Sequence, residues 1–512
     1  MESPAAVTDL SSSAPAQPTV FVGDPTGQSD SAAALQNLID RLSALGGGAI
    51  TIPFGTYLMA SYRPSTHPHK FTNLLVPSNV SLVGEPGTRL VQNDAGRGDV
   101  PGYVVENDLM AVGNRSTYQW IAFQAQQPWY DLQPVVENDP SVTMANPGDA
   151  ANFAVGDWIG IYLEKPGDVI PSEFCQVVTS DPSTGQIGLS VHLARSFPTA
   201  YCNKIAGDTH NVTLRNLILE GTVPFAAQEC FDVALENCDL LYQAPVGMNV
   251  VTSMICNTVR RFHMRGGSMG PATGVNYLPG TELPQRNSAE VTFENVEFRG
   301  ANFGTAEFGI HWRIRDCTFW LNGNSTNAFV FQGWNMLADG NRFHATGYNS
   351  PGGSCITDHI NIASQHWGLF GGIRFTGNAI YCDTLGSYNP AVKNSVPGTQ
   401  VKNNTIRLNA RTRGFEAHTA HFQFCGNFVT TSAVDWAILC ESWGGSDGGI
   451  IAGNFIHGGG NSQAGIAFPG DYARPGGYII SGNHIEGFIQ GVDKSTLSAC
   501  HQGTIIADNI GD

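Results

Sequence analysis

VKNNTIRL (401–408), FQFCGNFVT (422–430), IIAGNFIHG (450–458), IISGNHIEG (479–487) and IIADNIG (505–511) are versions of one phrase. In each, apolar residues in near alternation lead into an Asn, and further apolar residues follow it. The intervals between Asn404, Asn427, Asn454, Asn483 and Asn509 are 23, 27, 29 and 26 residues. A β-rich repeat of that length, punctuated by Gly and Asn, predicts a solenoid whose units bury their apolar side only against the units above and below.

The phrase continues upstream at Asn216 (NVTLRNLILEG), Asn237 (DVALENCDLLY), Asn295 (EVTFENVEFRG), Asn341 and Asn378, with Asp316 taking the Asn place in WRIRDCTFW. Asn suits a tight corner because its side chain bonds to nearby backbone and it tolerates left-handed dihedrals. Stacked at one corner of successive coils, these amides are expected to bond to one another in a ladder.

Composition agrees. A chain of 512 residues exceeds one compact core, and 60 Gly with only 13% charged residues suit tight coils with many turns. Acidic residues outnumber basic ones 43 to 26, a formal charge of −17, which argues against nucleic acid or an anionic membrane as partner. The 11 Cys form no close CxxC pair, and Cys238, Cys317, Cys425 and Cys440 fall inside apolar phrases, so buried free thiols are expected. Neither a membrane-spanning apolar run nor a secretory leader is present, so a soluble chain is expected.

Residues 1–18, rich in Ser, Ala and Pro, read as a disordered leader. In FVGDPTGQSDSAAALQNLIDRLSALGGGAITIPFGTY (21–57), Ser29 or Asp30 caps a predicted helix with Leu35, Leu38, Ile39, Leu42 and Leu45 on one side, ended by Gly46 to Gly48 before a strand. Asp24, Pro25, Thr26 and Gly27, then Asp30, Ala34 to Ile39 and GGGAITIPFGTY, resemble the N-terminal cap of the pectate-lyase-like right-handed β-helix superfamily, which includes polysaccharide lyases, glycoside hydrolases and phage tailspikes. The resemblance implies an all-β, right-handed parallel β-helix with an N-terminal capping helix. It also implies an extracellular setting, secreted or virion-borne, and side-by-side homotrimers. Residues 19–92 then hold the cap and first coils, 93–205 a small inserted β module with a hairpin turn at Pro182 to Gly185, and 206–512 the main β-helix. Two long loops, near 266–288 and 346–371, are expected to break the coils and to be functional.

Alternate residues of each coil point outward, and coils lie about 4.8 Å apart, so an outward column can face several sugars in a row. Aligned on Phe415, Ile438, Ile466 and Val492, the strands place Glu416 and Asp493 in one outward column and His418 and Glu441 in another, with Gln332 in the latter and Trp334 beyond it. Glycosidic cleavage needs two carboxylates. Glu441 is the candidate acid or base, Asp435 or Asp447 its partner, and Glu416 and His418 position substrate or tune its chemistry, with Trp436 and Trp443 as stacking faces. The order from Asp435 through WAILCESWGGS to Asp447 and GGIIAGN resembles the active coil of difructose-forming inulin fructotransferases, which implies hydrolysis or transglycosylation. Asp358 and His359, with His366 and Trp367, form a candidate wall of the groove, but their spacing fits no zinc pattern. Glu307 with His311 and Glu229 with Asp232 are further groups. No metal or cofactor is called for, and the expected partner is a polysaccharide or oligosaccharide. The alternatives are a uronate lyase drawing on the clusters Arg260, Arg261, Arg265 and Arg407, Arg411, Arg413, or a glycan-binding solenoid without catalysis.

Overall fold

A computed structural model describes residues 19–64, 70–93, 106–113, 128–162, 171–205, 209–243, 253–272, 284–286, 288–300, 305–322, 327–346, 354–358, 371–382, 390–409, 413–419, 421–432, 436–440, 448–468, 477–493 and 503–511. The fold is a right-handed parallel β-helix. Each coil contributes a strand to three faces. In one coil, Pro390–Asn394 lies on the flank face, Gln400–Lys402 on the face entering the Asn corner, and Thr405–Leu408 on the face leaving it. The next coil repeats the order with Arg413–Ala417, Phe422–Cys425 and Phe428–Thr431, in parallel register with the first.

The register explains the period. Val401, Phe424, Ile451, Ile480 and Ile506 fall in one line on the entering face, and Ile406, Val429, Ile456 and Ile485 in one line on the leaving face. All except Ile506, which is half-buried at the end of the stack, are buried and form the core, each burial contributing about 1.5–3 kcal/mol. Upstream the same position is filled by rings, with Phe298, Phe319 and Phe343 stacked at 4.5 Å spacing.

The expected ladder is present. Nδ2 of Asn341, Asn378, Asn404, Asn427, Asn454 and Asn483 each donates to Oδ1 of the next Asn, at 2.8–3.1 Å, ending at Asn509. The earlier asparagines differ. Asn216, Asn237, Asn295 and Asp316 have φ of 51–55° and stand one residue before the ladder position, where Gly340, Gly377, Asn403, Gly426, Gly453, Gly482 and Asp508 stand in later coils. Their ladder positions hold Leu217, Cys238, Val296 and Cys317. The repeat therefore uses Asn at two adjacent positions, for left-handed backbone in one and for amide bonding in the other.

The cap helix spans Ala32–Ala44 and buries Leu35, Gln36, Ile39 and Leu42 over the first coils. The N-cap is Ser31, one residue beyond the expected Ser29 or Asp30; Asp30, just before it, accepts bonds from the N–H groups of Ala32 and Ala60 and so ties the first turn to the first coil. Leu45, expected on the buried side, lies beyond the last turn and is exposed. Gly47 has φ +117 and a Cβ there would lie 2.3 Å from the Asn79 carbonyl, so the chain can turn back here only as Gly.

The insertion forms a separate antiparallel sheet of Tyr130–Leu132, Ser141–Thr143, Trp158–Tyr162, Pro171–Asp181, Gln186–Leu189 and Ala200–Lys204. Asp181 pairs with Gln186 across the expected Pro182 to Gly185 turn. Two stretches differ from expectation. Glu106–Gly113 pairs with Lys70–Val76 and with Val223–Tyr242, so a coil strand lies inside the region read as insertion. The regions read as loops also contain strand: Met254–Pro271 covers residues 266–271, and Pro284–Arg286 and Ser354–Asp358 join the flank face. Gly-rich and polar segments lack the apolar alternation that marks a strand, yet they pair because both neighbouring coils present open edges.

Candidate functional site on the flank face

Arg413–Ala417 carries the described part of the predicted site. Phe415 points inward and stacks on Phe424 at 4.6 Å, so strand alternation turns Glu416 outward. His418 follows on the same side, its N–H bonded to the Asn394 carbonyl at 2.8 Å. Glu416 is only 6% exposed although it faces out. Its Oε1 meets His418 Nε2, and its Oε2 accepts from Arg413 Nη1 at 2.8 Å. The Arg413 guanidinium lies 5.3 Å from the centre of the half-buried Trp436 ring. Trp436 Nε1 is buried and has no hydrogen-bond partner among the described residues.

Burial pushes the Glu416 carboxyl up, but the bonds and charges of His418 and Arg413 outweigh it and hold the group below the ordinary glutamate value. Glu416 is thus ionised with both oxygens engaged, so it acts on its neighbours and not as a nucleophile. An ionised carboxylate only accepts, so His418 Nε2 carries the proton, and in the neutral imidazole Nδ1 is then an acceptor. The arrangement orients one imidazole and one guanidinium beside an indole.

Glu416 lies in register with Lys393 on one side and Leu439 on the other, and that line continues to Ala467. Asp493 follows Val492, the partner of Ile466, as expected. Glu416 and Asp493 are therefore three coil spacings apart, about 14 Å, too far for a glycosidase pair. Trp334 ends the strand Asn327–Trp334 on the same face, half-buried, with the Arg195 guanidinium of the insertion 5.7 Å from its ring centre. Gln332 and Asp358 are in flank strands, paired through the backbone with Glu307 and Phe331. Asp435, Glu441, Trp443, Asp447, His359, His366 and Trp367 lie outside the described residues.

The arginine clusters separate. Arg260 bonds Glu290 and the Phe174 carbonyl, Arg261 holds Asp232 through two contacts, and Arg265 lies 3.6 Å from Glu294. Arg413 is taken by Glu416, whereas Arg407 is exposed on the leaving face. Arg411 is outside the described residues. His311 Nδ1 lies 2.8 Å from Asn335 Nδ2, and burial lowers its pKa. No group of three or more His, Cys, Asp or Glu among the described residues could hold a metal.

A seam between insertion and coils was not read from the sequence. Phe231, Arg260, Ala289 and Ile310 form one line at the edge of the flank face. Trp158 stacks on Phe231, and Phe174 and Ile205 join the same apolar cluster. Buried Glu173 lies close to Arg260 and Arg195; burial raises its pKa, and the two guanidinium charges oppose that rise. Glu173 and Arg260 are far apart in sequence, so only docking of the module brings them together.

Among solved structures, tailspike gp61 of Pseudomonas phage phi297 is similar over 87% of this chain and 76% of its own, with a TM-score of 0.51 and 14% identity. The likeness is one of fold, a parallel β-helix. A tailspike protein of E. coli bacteriophage HK620 in complex with a hexasaccharide aligns over 96% of this chain and 78% of its own, at 13% identity and a TM-score of 0.46. A mannuronan C-5 epimerase A-module of Azotobacter vinelandii aligns over 95% and 98%, at 15% identity and 0.39. No family model matches the chain, and no curated protein matches it. Among the described residues, no helix is long and apolar enough to cross a membrane.

Proposed function

We propose that the protein is an extracellular, secreted or virion-borne carbohydrate-active enzyme that lays a polysaccharide along the flank face and cleaves its glycosidic bonds by two-carboxylate acid/base chemistry, as a hydrolase or transglycosylase. The observation that carries this reading is the ionised, almost fully buried Glu416 on an outward strand face, gripped by Arg413 and His418 beside Trp436. Charged groups held in a fixed arrangement, with a buried carboxylate paired to an Arg and a His, mark sites more often than chance surface pairs. In this reading Glu441, which follows directly on Cys440 in sequence, is the acid or base, and Asp435 or Asp447 is its partner. Glu416 is a positioning residue that orients His418. Trp334, Trp436 and Trp443 bind sugar rings, with Gln332, Asp358 and His359 beside them. The likeness in fold to a phage tailspike supports the extracellular setting.

The test incubates the protein with neutral fructans and glucans, uronate polymers and capsular polysaccharides while following reducing ends, ultraviolet absorbance and product mass. New reducing ends or cyclic products without absorbance are expected, and Glu441→Gln abolishes them while the fold persists. Full turnover by that variant would sink the assignment.

One observation favours β-elimination on a uronate polymer as the second reading. Lys393 lies in register with Glu416 and His418 stands beside it, so a cation to neutralise a carboxylate and an imidazole to take the α proton are at hand. Absorbing products, lost in His418→Gln, would select it over hydrolysis.

A further inference from the structure

The line of the seam does not stop at Ile310. It runs through Phe231, Arg260, Ala289, Ile310, Trp334 and Gly371, one residue per coil. The first four are buried, whereas Trp334 is half-buried, so it is the first ring of the line to reach solvent.

The backbone on either side of Trp334 is fixed. Its carbonyl accepts from the His311 N–H at 3.0 Å, and the N–H of Asn335 bonds the Gly371 carbonyl at 2.8 Å. The Asn335 side chain is pinned as well, with Nδ2 on His311 Nδ1 at 2.8 Å and Oδ1 accepting from Arg374 at 3.2 Å. Backbone bonds alone leave an indole at a strand end several rotamers, and two neighbours remove that freedom. Gly371 lies so close that a Cβ there would stand 2.8 Å from the Trp334 ring. From the insertion, the Arg195 guanidinium lies 5.7 Å from the centre of the same ring.

Arg195 is itself held. It is buried, lies 5.8 Å from the centre of the Phe197 ring, and feels the charge of Glu173, the carboxylate that accepts from the Ala194 N–H at 2.8 Å. Burial lowers its pKa to about 10, so it stays protonated at neutral pH. The apolar cluster that docks the sheet ends at Ile310, so the Arg195 contact carries the insertion one coil farther, onto a ring outside that cluster.

We propose that Arg195 is a positioning residue of the polysaccharide site, holding the Trp334 ring in one orientation, so that the inserted sheet takes part in substrate binding. This rests on the reading of Trp334 as a sugar-binding ring. The gain is preorganisation: a ring already fixed has no rotamer freedom to lose when a sugar packs on it, which for one side chain amounts to about two- to tenfold in affinity.

Affinity electrophoresis of the full chain through gels holding neutral fructans or glucans, uronate polymers or capsular polysaccharides tests it. Arg195→Met, which keeps the apolar stem, is expected to weaken retention by that factor, and Arg195→Lys to restore most of it. In a Trp334→Ala background, itself weaker than the unaltered protein, Arg195→Met is expected to have no further effect, because a residue that acts through Trp334 then has nothing to position. A loss that persists in that background overturns the proposal, since Arg195 would serve only to dock the sheet. Retention that Arg195→Met leaves unchanged overturns it as well, and both results leave the sugar-binding reading standing. Retention unaffected by Trp334→Ala, or absent for the unaltered protein in every gel, instead overturns that reading and the proposal with it.

Discussion

Replacing Asn427 by alanine removes more than one side chain's bonds, because each rung of the ladder serves the rung before it. Asn427 Oδ1 accepts from the backbone N–H of Asn404 at 2.9 Å and from Asn404 Nδ2 at 3.0 Å, while its own Nδ2 donates to the Val401 carbonyl and to Asn454 Oδ1. In the variant two donors of Asn404, which is only 2% exposed, lose their acceptor. A buried polar group left unbonded costs about 1–3 kcal/mol, so the expected loss is about 2–6 kcal/mol. At the end of the solenoid, Asn509→Ala strands the equivalent donors of Asn483, but Asn509 is half-exposed and water replaces it; the expected loss there is about 1 kcal/mol or less. Stability in a stacked repeat is a sum of local terms, so global unfolding is a poor readout. Hydrogen exchange at the Asn404 and Asn483 amides reads each rung directly. Equal losses of protection at the two places, within about 0.5 kcal/mol, would refute the claim that orphaned buried donors set the cost.

Glu416→Gln should alter the acid limb of stability and the binding of polysaccharide together. The native carboxyl is held below its ordinary value near 4.5, so its contribution is complete above that pH and is lost as pH falls through the lower folded pKa; a urea titration from neutral to acid pH should therefore show a shallower decline in the variant. Arg260→Met leaves Glu173 buried without one of its cations, a loss of about 3–5 kcal/mol confined to the seam, and limited proteolysis should then cut within residues 130–204 while the coils stay intact. Gly426→Ala forces a Cβ to 2.5 Å from Asn403 Oδ1 at φ +66, so it should lower local stability by more than about 1 kcal/mol, whereas Asn403→Gly, at the equivalent place one coil earlier, should change it little by urea unfolding.

The solenoid was legible because its information is local and periodic: an apolar residue at a fixed place in every coil is both the sequence signal and the physical stack from Val401 to Ile506. The cap was legible for the same reason, including the turn at Gly47, with its N-cap at Ser31 one residue later than read. Asn carried a mixed signal because two neighbouring positions favour it for different reasons, and the residue beside it separates them. A Gly before the Asn, as in Gly426–Asn427, gives the left-handed turn to Gly and leaves Asn for the ladder, while an Asn preceded by Arg or Glu, as in Arg215–Asn216 and Glu236–Asn237, makes the turn itself. The seam was not legible, since Glu173, Arg195 and Arg260 acquire their meaning only when a separately folded sheet docks on the coils. On the flank face, Glu416 and His418 were placed together by strand alternation alone. The grip of Arg413 was not, because a residue three before Glu416 has the opposite parity in an ideal strand, and its long side chain reaches Glu416 only from the strand's first position. The ladder also explains why the early coils do without it. Where Leu217, Cys238, Val296 and Cys317 fill its position, no amide is left to be orphaned within the run, and the first rung, Asn341, bonds the Cys317 N–H at its border. Removing every partner of a buried bond is nearly neutral while removing one is costly, so a ladder of this kind can stop between coils but cannot be interrupted inside itself.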